Sequence, residues 1–286
     1  MNYLELTHLN REQSTHLSEL QNAVHKHYQS APNIYWHIIK KIRPMPWNIL
    51  VYAGRELIGF CSRFLFQMGA TEISLIVHPK FQTEFFIRPL IQQIQKFIPP
   101  EHKHMLVIPT PHQQKPLICP DAHWEFLYSS YRLQWQGPAK KPDPIPGFVF
   151  VKAETGDFSG FKRLTEIGFP HGTDMNEGIF KHIIENNTTQ LWLLKKDDQI
   201  VGSIQINQEN KVYRISDITV LPEYRKQGLG HFLLKSIIHM LHQRQKTIIL
   251  DVESNNPIAL NWYLSLNMKK LNISDFWRLS FQELKL

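Results

Sequence analysis

Hydrophobic and polar positions follow two different periods along this chain, and the two periods predict strands and helices. The opening strand and first helix of each half are predicted at residues 3–9, 11–27, 148–153 and 157–167. Five further strands of the second half, rich in β-branched or alternating apolar residues, are predicted at residues 190–195, 200–207, 212–221, 268–271 and 276–281. Strands joined by short polar turns and flanked by helices indicate an α/β (α+β) fold with mixed, mostly antiparallel, twisted sheets.

The most informative stretch is residues 218–234, where a strand pattern changes into a helix pattern. An apolar β-branched run ends at Pro222, a turn with the sequence Arg-Lys-Gln-Gly-Leu-Gly follows, and a helical apolar stripe begins at Leu229. The first N–H groups of a helix lack backbone partners and carry partial positive charge, so they form a site for a diphosphate. Glycines at 228 and 230 let the backbone approach such a ligand closely. Taken alone, the hexapeptide also fits an ordinary helix-start turn.

Its context distinguishes these two interpretations. The segment resembles the acetyl-CoA pyrophosphate loop of the GCN5-related N-acetyltransferase (GNAT) superfamily, where Arg/Gln-x-x-Gly-x-Gly/Ala lies between the fourth strand and the third helix. Residues 248–268 resemble the next strand and helix of that family, and they are most similar to the ribosomal-protein N-terminal alanine acetyltransferases, with Asp251, Asn255 and Tyr263 in register. Asn267 stands where the family usually has Gly, and Asn tolerates the left-handed backbone of a helix end.

The resemblance implies a set of functional residues. The coenzyme-binding residues would be Ile218, Thr219, Val220, Arg225, Lys226, Gln227, Gly228, Leu229, Gly230, His231, Asn255 and Pro257. Tyr263 would donate a proton to the departing thiolate, and Asp251 would be the base in place of the Glu of the ribosomal-protein enzymes. Asp217, Glu253 and water are alternative bases. A salt-bridged strand-end acid is the alternative for each carboxylate, and a core aromatic is the alternative for Tyr263.

The two halves of the chain are related by an internal repeat. A shift of 143 residues, half of the 286-residue chain, places residues 57–60 on 200–203 and residues 76–81 on 219–224. A period of this length indicates two copies of one domain, not a solenoid. We therefore expect two tandem GNAT-like domains.

The first copy lacks the residues of the phosphate-binding turn. Opposite Arg225, Gly228 and Gly230 it carries Gln82, Phe85 and Ile87, so the cation and both glycines are replaced. We expect this copy to be a degenerate domain without an acetyl-CoA loop. Its role would be structural, or it would form one wall of the substrate cleft.

A proline-rich segment marks the boundary between the copies. Residues 137–147 contain four prolines in eleven residues, a composition that favours extended backbone and a semi-rigid linker. The predicted division is a degenerate domain at residues 1–136, the linker at 137–147 and an acetyl-CoA-binding domain at 148–286. An ordered surface loop within one continuous sheet is the alternative to a linker.

Composition narrows the class of protein further. Two cysteines, Cys61 and Cys119, fit a reducing compartment, and the absence of a signal-peptide pattern or a membrane-length apolar run predicts a cytoplasmic protein without a membrane partner. The net charge of +7 comes without a dense Lys/Arg block interleaved with aromatics, which argues against nucleic-acid binding. Fifteen histidines occur without a ligand frame such as His-Glu-x-x-His, so no metal site is predicted.

Two classes of function stay open. The resemblance favours an enzyme that transfers an acetyl group directly from acetyl-CoA to a primary amine, on a protein N-terminus, a lysine or a small molecule. The alternative is a non-catalytic acyl-CoA-binding module whose tandem halves present a surface to a partner.

Overall fold

A computed structural model describes residues 2–67, 70–169, 175–209, 212–243 and 246–284. The chain forms two compact units. The first comprises Met1–Arg132, Val252–Leu260 and Lys270–Leu286, and the second comprises Leu133–Asp251 and Asn261–Lys269. Strands and helices are numbered below in chain order.

The first unit is built on a mixed sheet. Its strands lie side by side in the order β1 (Asn2–Leu6), β2 (Asn48–Ala53), β3 (Glu56–Gln67), β4 (Ala70–Val77), β5 (Met105–Pro111), β12 (Met268–Ser280) and β6 (Glu125–Trp135). The pairs from β1 to β4 are antiparallel, β4 and β5 are parallel, and β5 and β12 are antiparallel. Its helices are α1 (Arg11–Tyr28), α2 (Trp36–Ile39) and α3 (Glu84–Gln95).

The second unit repeats this plan. Its strands lie in the order β7 (Val149–Lys152), β8 (Thr189–Lys196), β9 (Gln199–Glu209), β10 (Val212–Val220) and β11 (Thr247–Glu253). The pairs from β7 to β10 are antiparallel, and β10 and β11 are parallel. The helices that follow these strands in the sequence are α4 (Phe158–Gly168), α5 (Glu177–Glu185), α6 (Leu229–His242) and α7 (Pro257–Ser265). The predicted mixed, mostly antiparallel sheets flanked by helices are confirmed.

Helix α6 forms because its apolar residues recur at helical spacing and find a flat surface to cover. Leu233, Leu234 and Ile237 are fully buried. In the facing strand β9, an added Cβ at Gly202 would come within 3.2 Å of the Leu233 side chain, so glycine there lets the helix sit close to the sheet. The predicted helix from Leu229 is confirmed.

The internal repeat reappears as identical hydrogen bonds 143 residues apart. His78 N donates to Ile58 O at 2.9 Å, and Leu221 N donates to Val201 O at 2.9 Å. The two short 3-10 turns, Pro79–Phe81 and Pro222–Tyr224, also correspond at this shift. The same type of turn therefore follows β4 in the first half and β10 in the second half.

One predicted feature is wrong: the two closing strands at residues 268–271 and 276–281 are a single strand, β12. The polar residues between them have partners, since Ser274 Oγ donates to Ala31 O at 2.9 Å and Asp275 accepts from Gln113 N at 2.7 Å. Polar residues that are satisfied in this way do not interrupt a strand.

Part of the C-terminal segment belongs to the compact unit of the first half, because β12 pairs with β5 along seven residues of each strand. The sequence division at residues 1–136, 137–147 and 148–286 stays a prediction. None of the described helices combines the length and the apolar character that crossing a membrane requires.

Candidate functional site

Strands β10 and β11 run parallel and then part, and this divergence is the first element of the candidate site. Their pairing ends at Ile215 with Leu250. On its other edge, β10 stays paired with β9 as far as Val220. Residues 218–220 therefore lie beyond the last parallel pair, where main-chain groups of β10 can hydrogen-bond to an extended ligand.

A β-bulge lies immediately before that segment. The register of β10 with β9 shifts between Ser216 and Thr219, and Asp217 has a φ of 50°, a left-handed conformation that Asp tolerates. Ser216 Oγ donates to Asp217 Oδ2 at 3.1 Å. Asp217 as a whole residue is exposed at the bulge, but burial of its carboxyl group raises the pKa of that group. The hydrogen bond from Ser216 opposes this rise.

The turn after β10 ends in a left-handed glycine that begins helix α6. Gly228 has a φ of 79° and acts as the N-cap, a conformation that favours glycine. Arg225 folds back over the turn, and its Nε donates to Val220 O at 2.9 Å. Gln227 Nε2 donates to Glu223 O at 3.2 Å. The predicted order of strand, glycine turn and helix is confirmed.

The N-terminus of α6 has the properties of an anion site. Gly228 supplies no side chain to accept from the first N–H groups, and no acidic residue lies in the first turn. These N–H groups carry the positive end of the helix dipole. An added Cβ at Gly230 would meet the Trp262 ring at 3.5 Å, an ordinary contact. Packing within the protein therefore does not require glycine at 230.

Lys226 and Leu229 of the predicted loop differ in exposure and backbone conformation. Lys226 is exposed and has a φ of 62°, and Leu229 is 2% exposed, so its side chain belongs to the core. A coenzyme contact of Leu229 would therefore be made by its N–H group. The assignment of these residues to coenzyme binding stays a prediction.

An aromatic residue that the sequence reading missed flanks the loop. Trp262 Nε1 donates to the His231 ring, 3.0 Å from Nδ1, and the two ring centroids are 5.4 Å apart. Burial, and then the charge of Lys235, lower the pKa of His231, which favours the neutral ring that can accept this bond. In the sequence, Trp262 is marked only by its position directly before Tyr263.

The predicted base has a cationic partner. Asp251 Oδ2 accepts from Arg214 Nη1 in an ion pair between the neighbouring strands β11 and β10. The register places Arg214 beside Ile249, two residues before Asp251, so both side chains point to the same face. The alternative of a salt-bridged acid therefore has structural support, and the role of Asp251 as base stays a prediction.

Tyr263 lies in α7 with its ring 4.7 Å from the ring of Trp262. Burial raises the pKa of Tyr263 to about 12, so its hydroxyl group holds its proton at neutral pH. A protonated phenol is the form that a general acid needs. Its predicted role as proton donor remains a prediction.

The other residues of the second motif lie in Val252–Leu260, which groups with the first unit. Asn255 is in the turn between β11 and α7, and Pro257 is the first residue of α7. Asn256, which the sequence reading did not select, caps this helix, because its Oδ1 accepts from Ala259 N at 3.1 Å. Burial raises the pKa of Tyr128, and the charge of the alternative base Glu253, which hydrogen-bonds to this tyrosine, adds to the rise.

The corresponding turn of the first half keeps the fold and fills the site. Gln82 Nε2 donates to Val77 O at 2.9 Å, the same contact that Arg225 makes to Val220 143 residues later. Tyr28 donates its hydroxyl to Gln82. Thr83 caps α3 by accepting from Phe86 N, so a side chain already serves the helix start that Gly228 leaves open in the second half.

A segment of chain also occupies the region between the strands that part in the first unit. Ser30 Oγ accepts from His112 N at 2.7 Å, after β5, while Asn33 O accepts from Ser74 Oγ at 3.2 Å, on β4. A cavity of ≈50 Å³ lies beside these strands. Among the described residues, no group of three His, Cys, Asp or Glu side chains is arranged to hold a metal ion.

Comparison with known proteins finds acetyltransferases among those to which this chain is similar. Residues 165–268 match the model of the acetyltransferase (GNAT) family. N-acetyltransferase YodP of Bacillus subtilis is 28% identical over 116 residues, which are 40% of this chain and 41% of that protein. The chain therefore spans about two fifths of the length of that relative.

Solved structures extend the likeness to nearly the whole fold. A GCN5-related N-acetyltransferase from Sphaerobacter thermophilus has a TM-score of 0.75 at 13% identity, covering 98% of this chain and 96% of that one. A tandem GNAT protein from the clavulanic acid biosynthesis pathway has a TM-score of 0.69 at 12% identity, covering 98% of both chains. By sequence in its second half and by fold along almost its entire length, this chain is similar to the GNAT acetyltransferases, including a tandem member.

Proposed function

We propose that this protein is an N-acetyltransferase that takes the acetyl group from acetyl-CoA and gives it to a primary amine. The observation that carries the proposal is the continuous arrangement at residues 218–231. There, a strand end free of its parallel partner leads through left-handed Gly228 into a helix start without a side-chain cap. The match of residues 165–268 to the GNAT family supports it.

The residues of this arrangement fit the parts of the coenzyme. Main-chain groups of Ile218 and Val220 would pair with the amides of the pantetheine arm, since strand β10 has no parallel partner there. N–H groups from Gly228 to His231 would bind the pyrophosphate at the positive end of α6. Arg225 holds the turn in shape through its bond to Val220 O.

Acetyl-CoA supplies a thioester carbonyl, and transfer of the acetyl group also requires two proton transfers. The amine has to lose a proton to become a nucleophile, and the departing thiolate has to gain one. Tyr263 would give its hydroxyl proton to the sulfur. Burial raises the pKa of this hydroxyl to about 12, so the group is protonated at neutral pH but is a weaker acid than an exposed tyrosine. Backbone N–H groups near the bulge at Asp217 would stabilise the oxyanion.

The ion pair with Arg214 already engages Asp251 Oδ2, the carboxylate predicted to be the base. We propose that Asp251 accepts the amine proton through water and that Arg214 fixes the carboxylate in position. Asp217 is the competing base, because burial raises its pKa and a less acidic carboxyl group is a better proton acceptor.

The acceptor class is proposed from the resemblance of residues 248–268 to the ribosomal-protein N-terminal alanine acetyltransferases. A protein N-terminus is therefore the first acceptor to test, followed by lysine and small-molecule amines. We propose that residues 170–187 influence the choice of acceptor. Helix α5, Glu177–Glu185, lies in this segment, and residues 170–174 are outside the described residues.

A non-catalytic acyl-CoA-binding module is the second candidate, and the Asp251–Arg214 ion pair favours it because it engages the predicted base. Release of free thiol from acetyl-CoA, measured with N-terminal peptides, lysine peptides and small amines, distinguishes an acetyltransferase from a binding module. Amine-dependent thiol release together with an acetylated product supports the enzyme. Tight acetyl-CoA binding by calorimetry with no amine-dependent release from any acceptor would favour the binding module.

A further inference from the structure

The second unit contains a cavity that the candidate site does not account for. It has a volume of ≈560 Å³ and lies between the start of the proline-rich segment, helix α6 and the end of α7. Specific small-molecule sites typically have volumes of about 300–1,000 Å³, so a nucleotide-sized group fits. Residues 138–143 form one wall of this cavity, although their sequence suggested only a linker.

The lining of the cavity combines positive charge with apolar surface. Lys140, Lys141 and Lys235 contribute three cationic groups, and Asp143 contributes the one acidic group of the lining. Trp135 and the buried Ile238 provide aromatic and aliphatic surface. An excess of two positive charges beside apolar walls suits a ligand with a flat heterocycle and a phosphate group.

The cavity lies next to the phosphate loop along two helices. Lys235 is seven residues beyond Gly228 on α6, a rise of about 10 Å at helical spacing. It shares a helix face with His231, whose pKa is lowered by burial and then by the charge of Lys235. On α7, Trp262 faces Gly230, and Ser265 of the cavity wall donates to Trp262 O at 2.6 Å. The loop and the cavity are therefore separated by about two turns of α6 and by about one turn of α7.

We propose that this cavity binds the 3′-phosphorylated adenosine end of coenzyme A, with Lys140, Lys141 and Lys235 contacting the 3′-phosphate. The proposal rests on the proposed use of acetyl-CoA. The pyrophosphate and the 3′-phosphate of the coenzyme are separated by a single ribose, which matches a phosphate loop and a lysine-lined cavity placed along the same helix. Residues 138–143 then act as a coenzyme-binding wall and not only as a connection between the halves.

Calorimetric titration with coenzyme A and with dephospho-coenzyme A, which lacks only the 3′-phosphate, tests this assignment. The wild type should bind coenzyme A about tenfold more tightly, as expected for two or three partly exposed ion pairs. The double variant Lys140→Met, Lys141→Met keeps the apolar stems. It should lose most of that preference while its affinity for dephospho-coenzyme A stays unchanged.

A matched control removes the same charge elsewhere in the second unit. Lys162→Met, Lys181→Met replaces two exposed lysines of α4 and α5 and should keep the full preference. Equal affinity of the wild type for the two coenzymes would overturn the proposal and leave the acetyltransferase proposal standing. An equal loss of affinity for both coenzymes in the Lys140→Met, Lys141→Met variant would also overturn it. The same loss of preference in the control variant would overturn it as well. Failure of the wild type to bind either coenzyme would instead contradict the proposed function itself.

Discussion

Glu72 is the buried carboxyl group that gives the sharpest prediction about stability. It lies on β4 and is 8% exposed, and its Oε1 has no hydrogen-bond partner among the described residues. Burial raises the pKa of Glu72 from 4.5 to about 8, and a hydrogen bond from Tyr35 only partly opposes that rise. We therefore consider the change Glu72→Gln, which keeps the shape of the side chain and an acceptor for Tyr35.

The direction of the effect follows from proton binding. Below pH 4.5 both the folded and the unfolded chain hold the proton, so Glu72 has no pH-dependent effect on stability there. Between pH 4.5 and about 8 the unfolded chain releases the proton while the folded chain keeps it, so the free energy of unfolding falls as pH rises. The accumulated cost is roughly 3 kcal/mol at pH 7 and roughly 5 kcal/mol above pH 8, at 1.36 kcal/mol per pKa unit.

Urea unfolding at pH 5, 6, 7 and 8 measures this cost directly. The Glu72→Gln variant should gain stability relative to the wild type as pH rises, by a few kcal/mol between pH 5 and pH 8. Glu19→Gln, at an exposed position of α1, is the matched control and should leave the pH profile unchanged. A stability difference between Glu72→Gln and the wild type that stays constant from pH 5 to pH 8 would refute the reasoning.

Three further predictions concern the site. Gly230→Val should abolish acetyl-CoA binding in calorimetry with little change in melting temperature, whereas the control Gly156→Val, whose added Cβ meets no atom within 4 Å, should bind normally; retained binding would contradict the phosphate-loop assignment. Tyr263→Phe should lower turnover at saturating acetyl-CoA by about 100-fold and barely change coenzyme affinity; unchanged turnover would return Tyr263 to a packing role. Titration with coenzyme A should give one site per chain, and two sites of comparable affinity would contradict the loss of the loop at Phe85 and Ile87.

Local patterns were sufficient to predict the loop and its flanking elements. The β-branched run before Pro222, Gly228 in the turn and the apolar spacing from Leu229 each act within a few residues, so the sequence contains the whole signal. The left-handed φ of Gly228 and the buried face of α6 agree with that reading.

Features that depend on contacts between distant residues could not be read in this way. Asp275 appears in the sequence as a polar break, but Ser129 Oγ donates to it at 2.7 Å and the strand continues through it. The Asp251–Arg214 pair depends on the register of two strands separated by helix α6, and no local pattern fixes that register. The cavity wall at residues 138–143 likewise arises from packing of a proline-rich segment whose composition indicates only extended backbone.

The corresponding turns of the two halves keep one hydrogen bond and differ at the start of the helix that follows. Both halves retain the bond from the turn to the strand end, by Gln82 in one and Arg225 in the other. In the first half the helix start already has a cap from Thr83, and Glu84 adds a negative charge to the first turn, where a phosphate would have to bind.

Replacing Phe85 alone by glycine would leave the Thr83 cap and the negative charge of Glu84 in place. Phe85 is 86% exposed and contributes little to the core, so the substitution should be tolerated by the fold without creating coenzyme affinity. The bond from Tyr28 to Gln82 and the segment from Ser30 to Asn33, which takes up the space between β4 and β5, oppose binding of the pantetheine arm as well. The predicted absence of coenzyme binding in the first half would therefore have several independent physical causes, and a single substitution should not remove them.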